Sequence, residues 1–159
     1  KRIGRNGEIF NLYKFRTMVH AHEAELAKMG KATKTSKGDT RVPWFGQLLR
    51  KTNLDEYPQF MNVLLGSMST VGPRPHMVGE DNELANKVLN YRVRRFVKPG
   101  ITGLAAIKGY RGGTDDLDLM KKRTEFDIWY LENWSLWLDI KIMAITVWQM
   151  LTFRIPKAY

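Results

Sequence analysis

Asp55 and Glu56 stand side by side in the segment LRKTNLDEYPQFMNVLLG, with Arg50 and Lys51 just before them. Two adjacent carboxylates among basic residues can do two kinds of chemistry. One can attack phosphorus as an ionised nucleophile, and the pair can hold Mg²⁺ together with substrate phosphates. A solvated helix start is the plain alternative. A helix N-terminus would favour the chemical reading, because its free N–H groups and positive dipole end keep a carboxylate ionised and also suit a phosphate. Arg74 lies between Pro73 and Pro75 in GPRPH. The flanking prolines stiffen its backbone, so its guanidinium is preorganised for bidentate contact with phosphate. Lys14, Arg16, Arg41, Arg50, Lys51 and Lys98 recur in short basic motifs, and each taken singly reads as a surface charge. His76 reads first as a structural hydrogen-bonding partner and second as a phosphate contact. His20 and His22 are two apart and do not share a helix face. No Walker A, G-x-G-x-x-G or G-x-S-x-G motif occurs.

These residues need elements to position them. Residues 1–18 read as a β-hairpin turning at Asn6-Gly7, because a type I′ turn needs positive φ at both central positions. A short helix is expected at 19–29, a polar Lys/Thr/Gly loop at 30–40, and a helix at 43–51 with Trp44, Phe45, Leu48 and Leu49 on its apolar side. The next helix spans 54–65, starting at about Asp55 or Glu56 so that Pro58 falls in the first turn, and Gly66 ends it. Gly72 to Pro75 forms a rigid extended loop. Residues 80–97 read as one helix, acidic at its start and basic at its end, stopped by Pro99-Gly100. Pro99 to Gly103 reads as a tight turn feeding a strand-like ITGLAAIKGY, and two helices follow at 116–132 and 135–153.

The last helix has three readings. It is about the length of a membrane span, but Asp139 and Lys141 fall inside it, at a cost of about 2.5–3.5 kcal/mol each near mid-bilayer. Trp134, Trp137, Trp148, Lys141 and Arg154 suit an interfacial helix. A core helix with paired or solvated charges is the third reading.

The chain has 159 residues, enough for about one domain with its own core. Hydrophobic residues make up 43% and charged residues 26%, which argues against wholesale disorder. With Cys at 0, a disulfide scaffold, a Cys-ligated zinc site and a thiol nucleophile are excluded, and three His make a multi-His metal site improbable. The net charge of +10 points to an anionic partner: nucleic acid, anionic lipid or a phosphorylated substrate. No apolar signal-peptide segment follows Lys1. The residues alone lead to one basic α+β domain, predominantly helical, that binds anions.

The segments KFRTM (14–18), LRKTNLDEYPQFMNVLLGSMSTVGPRP (49–75) and VKPGITG (97–103) resemble the bacterial sugar transferase family, the monotopic polyprenyl-phosphate hexose-1-phosphate transferases, in order along residues 1–159. GPRPH, KGYRGGT (108–114) and ENWSLWLDIKI (132–142) are most similar to the undecaprenyl-phosphate glucose phosphotransferases of exopolysaccharide synthesis. The resemblance implies a single catalytic domain with an N-terminal β-hairpin and interfacial amphipathic helices, at the cytoplasmic face of the bacterial inner membrane. It implies transfer of hexose-1-phosphate from a UDP-sugar, UDP-glucose foremost, to undecaprenyl phosphate, with release of UMP. By the same resemblance Asp55 is the nucleophile of a ping-pong reaction, and Glu56 helps bind Mg²⁺ or handle a proton. Arg74, shaped by Pro73 and Pro75, contacts the nucleotide diphosphate. Lys14, Arg16, Arg50 and Lys98 are further phosphate contacts placed by motif. Family members carry a hydrophobic re-entrant helix just before the segment matching Lys1, so either this chain lacks that anchor or the anchor lies outside these 159 residues.

Two other readings compete: a basic nucleic-acid-binding module and a peripheral membrane scaffold without catalysis. The basic residues are spread over loops rather than gathered in one groove, which weighs against nucleic acid. Intact Asp55, Glu56 and Arg74 weigh against a degenerate scaffold. A homodimer fits, and nothing in the chain compels one.

Overall fold

The computed structural model describes residues 1–19, 41–111 and 116–152. The polar loop at 30–40, His20, His22 and, beyond its first residue, the helix at 19–29 lie outside the described residues. Among the described residues helices dominate, and the sheets are small. The chain falls into two compact units, Lys14–Pro58 on one side and Lys1–Tyr13 with Gln59–Tyr159 on the other.

In the first unit, helix α1 (Trp44–Thr52) ends at Asn53, whose φ of 58° is the left-handed conformation that stops helices. A single 3-10 turn, Leu54–Glu56, follows. It is closed by Glu56 N–H donating to the Asn53 carbonyl and Tyr57 N–H to the Leu54 carbonyl, at 3.1 and 3.2 Å. The continuous helix expected over 54–65 therefore does not form. Asn53 breaks the path before the acidic pair, and Pro58 has no N–H with which to carry an α-helix through. Helix α2 (Gln59–Leu64) starts only after it.

In the second unit, β1 (Arg2–Ile3) and β2 (Ile9–Phe10) pair antiparallel with Ile3 opposite Ile9. Asn6 and Gly7 have φ of 55° and 83°, the two positive values a type I′ turn needs. Glu8 N–H closes the turn on the Arg5 carbonyl at 3.1 Å. The hairpin is thus where the sequence places it, but shorter: no strand continues over 11–18. Strand β3 (Ser69–Val71) lies parallel to β4 (Gly100–Thr102), with Val71 opposite Thr102.

Helix α3 (Val78–Lys87) begins acidic, as expected, but stops ten residues early. Val88 is extended and Asn90 has φ of 57°, after which Tyr91–Phe96 forms a 3-10 helix. This break turns Tyr91 and Arg94 into the interior. The strand-like ITGLAAIKGY is β4 followed by one helical turn, α4 (Leu104–Ile107).

Helices α5 (Leu117–Glu132) and α6 (Leu136–Leu151) fall within two residues of expectation, and the Asp116 and Ser135 side chains cap their first turns. One core cluster joins Val71, Leu104, Tyr130 and Ile142, and another joins Leu84, Val88, Tyr91 and Met120. Helix α6 buries Ile142 in the first cluster, and Asp139 accepts from the Tyr130 hydroxyl and the Trp134 indole. Its outer side leaves Trp137 75% exposed, with Leu136, Trp148 and Leu151 also open. Among the described residues no helix is long and apolar enough to cross a membrane.

Candidate active site

The acidic pair is held by the strand-like segment that precedes α1 in sequence. Phe15 N–H donates to the Asp55 carbonyl at 2.9 Å, and Arg50 Nε donates to Thr17 Oγ1 at 2.8 Å. The Thr17 carbonyl crosses α1 at Gly46, where a Cβ would lie 2.2 Å from that oxygen. KFRTM and LRKTNLDE are therefore two halves of one local arrangement, and Gly46 is what lets them touch.

Its result is a cation set against two buried carboxylates. Asp55 and Glu56 are only 2% and 6% exposed. Lys14 Nζ lies 2.8 Å from Asp55 Oδ2 and 3.7 Å from Glu56 Oε1. Asp55 Oδ2, the oxygen in this ion pair, is itself buried. A buried carboxylate needs compensating charge to stay ionised. Lys14 supplies that charge.

Among the described residues no cluster of three or more metal-ligating side chains occurs. The pair nonetheless fits Mg²⁺, which takes hard oxygen donors and is commonly held by one or two carboxylates with water and substrate phosphates.

The motif prolines and glycines make a second arrangement in the other unit. A Cβ on Gly100 would lie 2.1 Å from Gly72 N, and one on Gly103 2.3 Å from Gly72 O. Only glycine permits this crossing of GPRP and PGITG. Beside it lies a shallow cleft, continuous with solvent, whose lining includes Arg74, Arg111, Arg123 and Tyr110.

Behind the PRP loop lies a buried polar network. Tyr91 OH donates to Asp81 Oδ1 at 3.0 Å and accepts from Arg94 Nη1 at 2.9 Å. Burial raises the Tyr91 phenol, so it keeps that proton. His76 Nδ1 makes a short contact with the same oxygen and lies 3.0 Å from Arg94 Nη1, and His76 Nε2 lies 3.2 Å from Arg123 Nη1. Burial first, then the charges of Arg94, Arg123, Arg74 and Arg2, hold the imidazole well below its ordinary pKa. Burial and Arg94 and Arg74 push Arg123 down to about 10. The structural reading of His76 is the one the molecule uses.

The residues predicted from sequence are thus placed unequally. Lys14, Asp55 and Glu56 converge. Arg74 lines the cleft with Pro73 and Pro75 on either side of it in the chain. Arg50 is engaged with Thr17, while Arg16 and Lys98 are exposed. Sequence reasoning did not single out Tyr91, Arg123 or Asp127. It placed Asp81 among the acidic residues opening a helix and Arg94 among the basic residues closing it, and no local spacing marks these five as a set. The single signal for the inward turn is Asn90, a residue that tolerates positive φ.

A sequence model of the bacterial sugar transferase family matches residues 1–153. The UDP-glucose:undecaprenyl-phosphate glucose-1-phosphate transferase of Klebsiella pneumoniae is 46% identical over 148 residues, covering 93% of this chain and 31% of the relative. The protein of the same name from Escherichia coli K12 is 45% identical over 148 residues, with the same coverage of 93% and 31%. The UDP-N-acetylgalactosamine-undecaprenyl-phosphate N-acetylgalactosaminephosphotransferase of Aeromonas hydrophila is 38% identical over 152 residues, covering 95% of this chain and 34% of the relative. The chain spans about a third of the length of these curated relatives. With both motif groups folded into defined sites and the family matched over nearly the whole sequence, the chain belongs to the bacterial sugar transferase family.

Proposed function

We propose that residues 1–159 act as one catalytic domain that transfers hexose-1-phosphate from a UDP-sugar to undecaprenyl phosphate. The observation that carries this reading is the convergence of Lys14 on the buried carboxylates of Asp55 and Glu56. A carboxylate oxygen of Asp55 attacks the β-phosphorus of the donor, the bond to the UMP oxygen breaks, and UMP leaves. The phosphate oxygen of undecaprenyl phosphate then attacks the same phosphorus, and the Asp55 carboxylate is released. Two easier displacements replace one hard one. Lys14 pairs with Asp55 before attack, and Glu56 shares that cation. Mg²⁺, held by Asp55 and Glu56, would neutralise charge on the donor phosphates when bound. Arg74 takes the diphosphate, with Pro73 and Pro75 fixing its backbone. Arg16, Arg50 and Lys98 are secondary phosphate contacts at most. The engagement of Arg50 with Thr17 favours a scaffolding role for it.

Glucose is the proposed sugar, because the glucose-1-phosphate transferases named above exceed the N-acetylgalactosamine one in identity, 46% and 45% against 38%. The product feeds exopolysaccharide assembly at the cytoplasmic face of the inner membrane. The exposed apolar residues of α1 (Trp44, Phe45, Leu48) and of α6 (Trp137, Trp148, Leu151) support interfacial helices that meet the bilayer. The test is UMP release by the natural full-length protein with detergent-solubilised undecaprenyl phosphate, Mg²⁺ and a panel of UDP-sugars. Lipid-dependent release with UDP-glucose is expected. No release with any donor from folded protein rejects the reading.

A further inference from the structure

The PRP loop has an unusual holding problem. Pro73 and Pro75 have no N–H, so the loop forfeits two of the backbone donors with which a segment is normally tied down. It is held by its carbonyls instead. Pro73 O accepts from Gly100 N–H at 2.9 Å, and His76 O from Ile3 N–H at 3.2 Å. Between them, Arg74 O accepts from a buried guanidinium, Arg94 Nη2, at 2.9 Å. The same guanidinium spends Nε on Asp127 Oδ2 at 2.8 Å and Nη1 on Tyr91 OH at 2.9 Å. Nη1 also lies 3.0 Å from His76 Nδ1, so its three nitrogens reach four residues.

We infer that Arg94 is a positioning residue for Arg74: through the Arg74 carbonyl it fixes the backbone from which the cleft-lining guanidinium projects. This rests on the proposed role of Arg74 in donor binding. The planar fork of arginine is what the arrangement requires. A lysine keeps the charge opposite Asp127 but is a point donor on a flexible stem and cannot hold three partners at fixed angles. Asp127 orients Arg94 from behind, and the Tyr91 phenol, locked by its bond to Asp81, sets the rotation of the guanidinium plane. The inference predicts a specific coupling: Arg94 matters to the donor only while the Arg74 side chain is present.

The experiment is a double-mutant cycle on the natural full-length protein, Arg74→Ala against Arg94→Lys, reading UDP-glucose affinity by titration calorimetry and separately the KM for undecaprenyl phosphate. Arg94→Lys is expected to weaken donor affinity about tenfold in the wild-type background and to have almost no further effect in the Arg74→Ala background. The acceptor KM is expected to stay unchanged. Tyr91→Phe, which removes the hydroxyl that Nη1 donates to along with its contacts to Asp81 and His76, carries the same cycle should Arg94→Lys not fold. Equal, additive losses in both backgrounds, or a lowered melting temperature with donor affinity intact, would overturn the inference while leaving the role of Arg74 standing. An Arg74→Ala variant with unchanged donor affinity overturns both, and is recognised from that single variant.

Discussion

At the residue scale, the chemistry rests on charges taken out of water and paired. The pair Asp55 and Glu56 was legible in the sequence because it is contiguous and sits in a motif; Lys14 was expected only as a phosphate contact, and its place as the cation of the dyad was not legible. Its partners lie 41 and 42 residues away by number (55 − 14 and 56 − 14), and no local rule brings them together. His76 makes a prediction of its own. Its folded pKa lies well below the ordinary imidazole value of about 6.5, so below that pH the unfolded chain gains a proton that the folded one refuses. Stability from this group is therefore complete above about pH 6.5 and falls as pH drops, by at most about 1.4 kcal/mol per pH unit. Denaturant unfolding between pH 5 and 7 should show this slope, and His76→Gln should flatten it. An unchanged slope in the variant would mean that His76 is not the neutral member of the network.

At the scale of elements, breaks in the helices matter more than the helices. Asn53 ends α1 so that the dyad rides a 3-10 turn, and Asn90 ends α3 so that Tyr91 and Arg94 face inward. Hydrophobic pattern finds α1, α5 and α6 well, although α1 buries only Gly46 and leaves Trp44, Phe45 and Leu48 exposed. It runs straight through Asn90, since an acidic start and a basic end suit one long helix as well as two short ones. Close approaches are equally invisible until the fold is known, and Gly46 is the sharpest case. Alanine would gain about 1 kcal/mol of helix propensity. Its Cβ, however, would lie 2.2 Å from a backbone oxygen, and forcing a backbone shift costs more, about 1–3 kcal/mol. The clash should win: Gly46→Ala is expected to lower the melting temperature and, by moving the 14–17 segment off the dyad, to lower activity. A variant more stable than wild type would show that Thr17 does not cross α1 there.

For the whole molecule, a net charge of +10 and exposed aromatic side chains suit the proposed reaction between a nucleotide sugar and a lipid phosphate. Trp44 at 75% exposure is not stabilising the fold by burial, so its removal separates membrane binding from folding. Trp44→Ser with Phe45→Ser is expected to weaken binding to anionic vesicles several-fold at unchanged melting temperature, read by co-sedimentation; equal binding would remove α1 from the bilayer contact. The central claim is that Asp55 becomes covalently bonded to phosphorus, and a single-turnover measurement without acceptor reaches it most directly. Wild-type protein mixed with UDP-glucose and Mg²⁺, with no undecaprenyl phosphate present, should release about one equivalent of UMP and gain the mass of a hexose phosphate on the peptide carrying Asp55. Asp55→Asn should do neither. UMP release only after lipid is added, or an adduct that persists in Asp55→Asn, would contradict it.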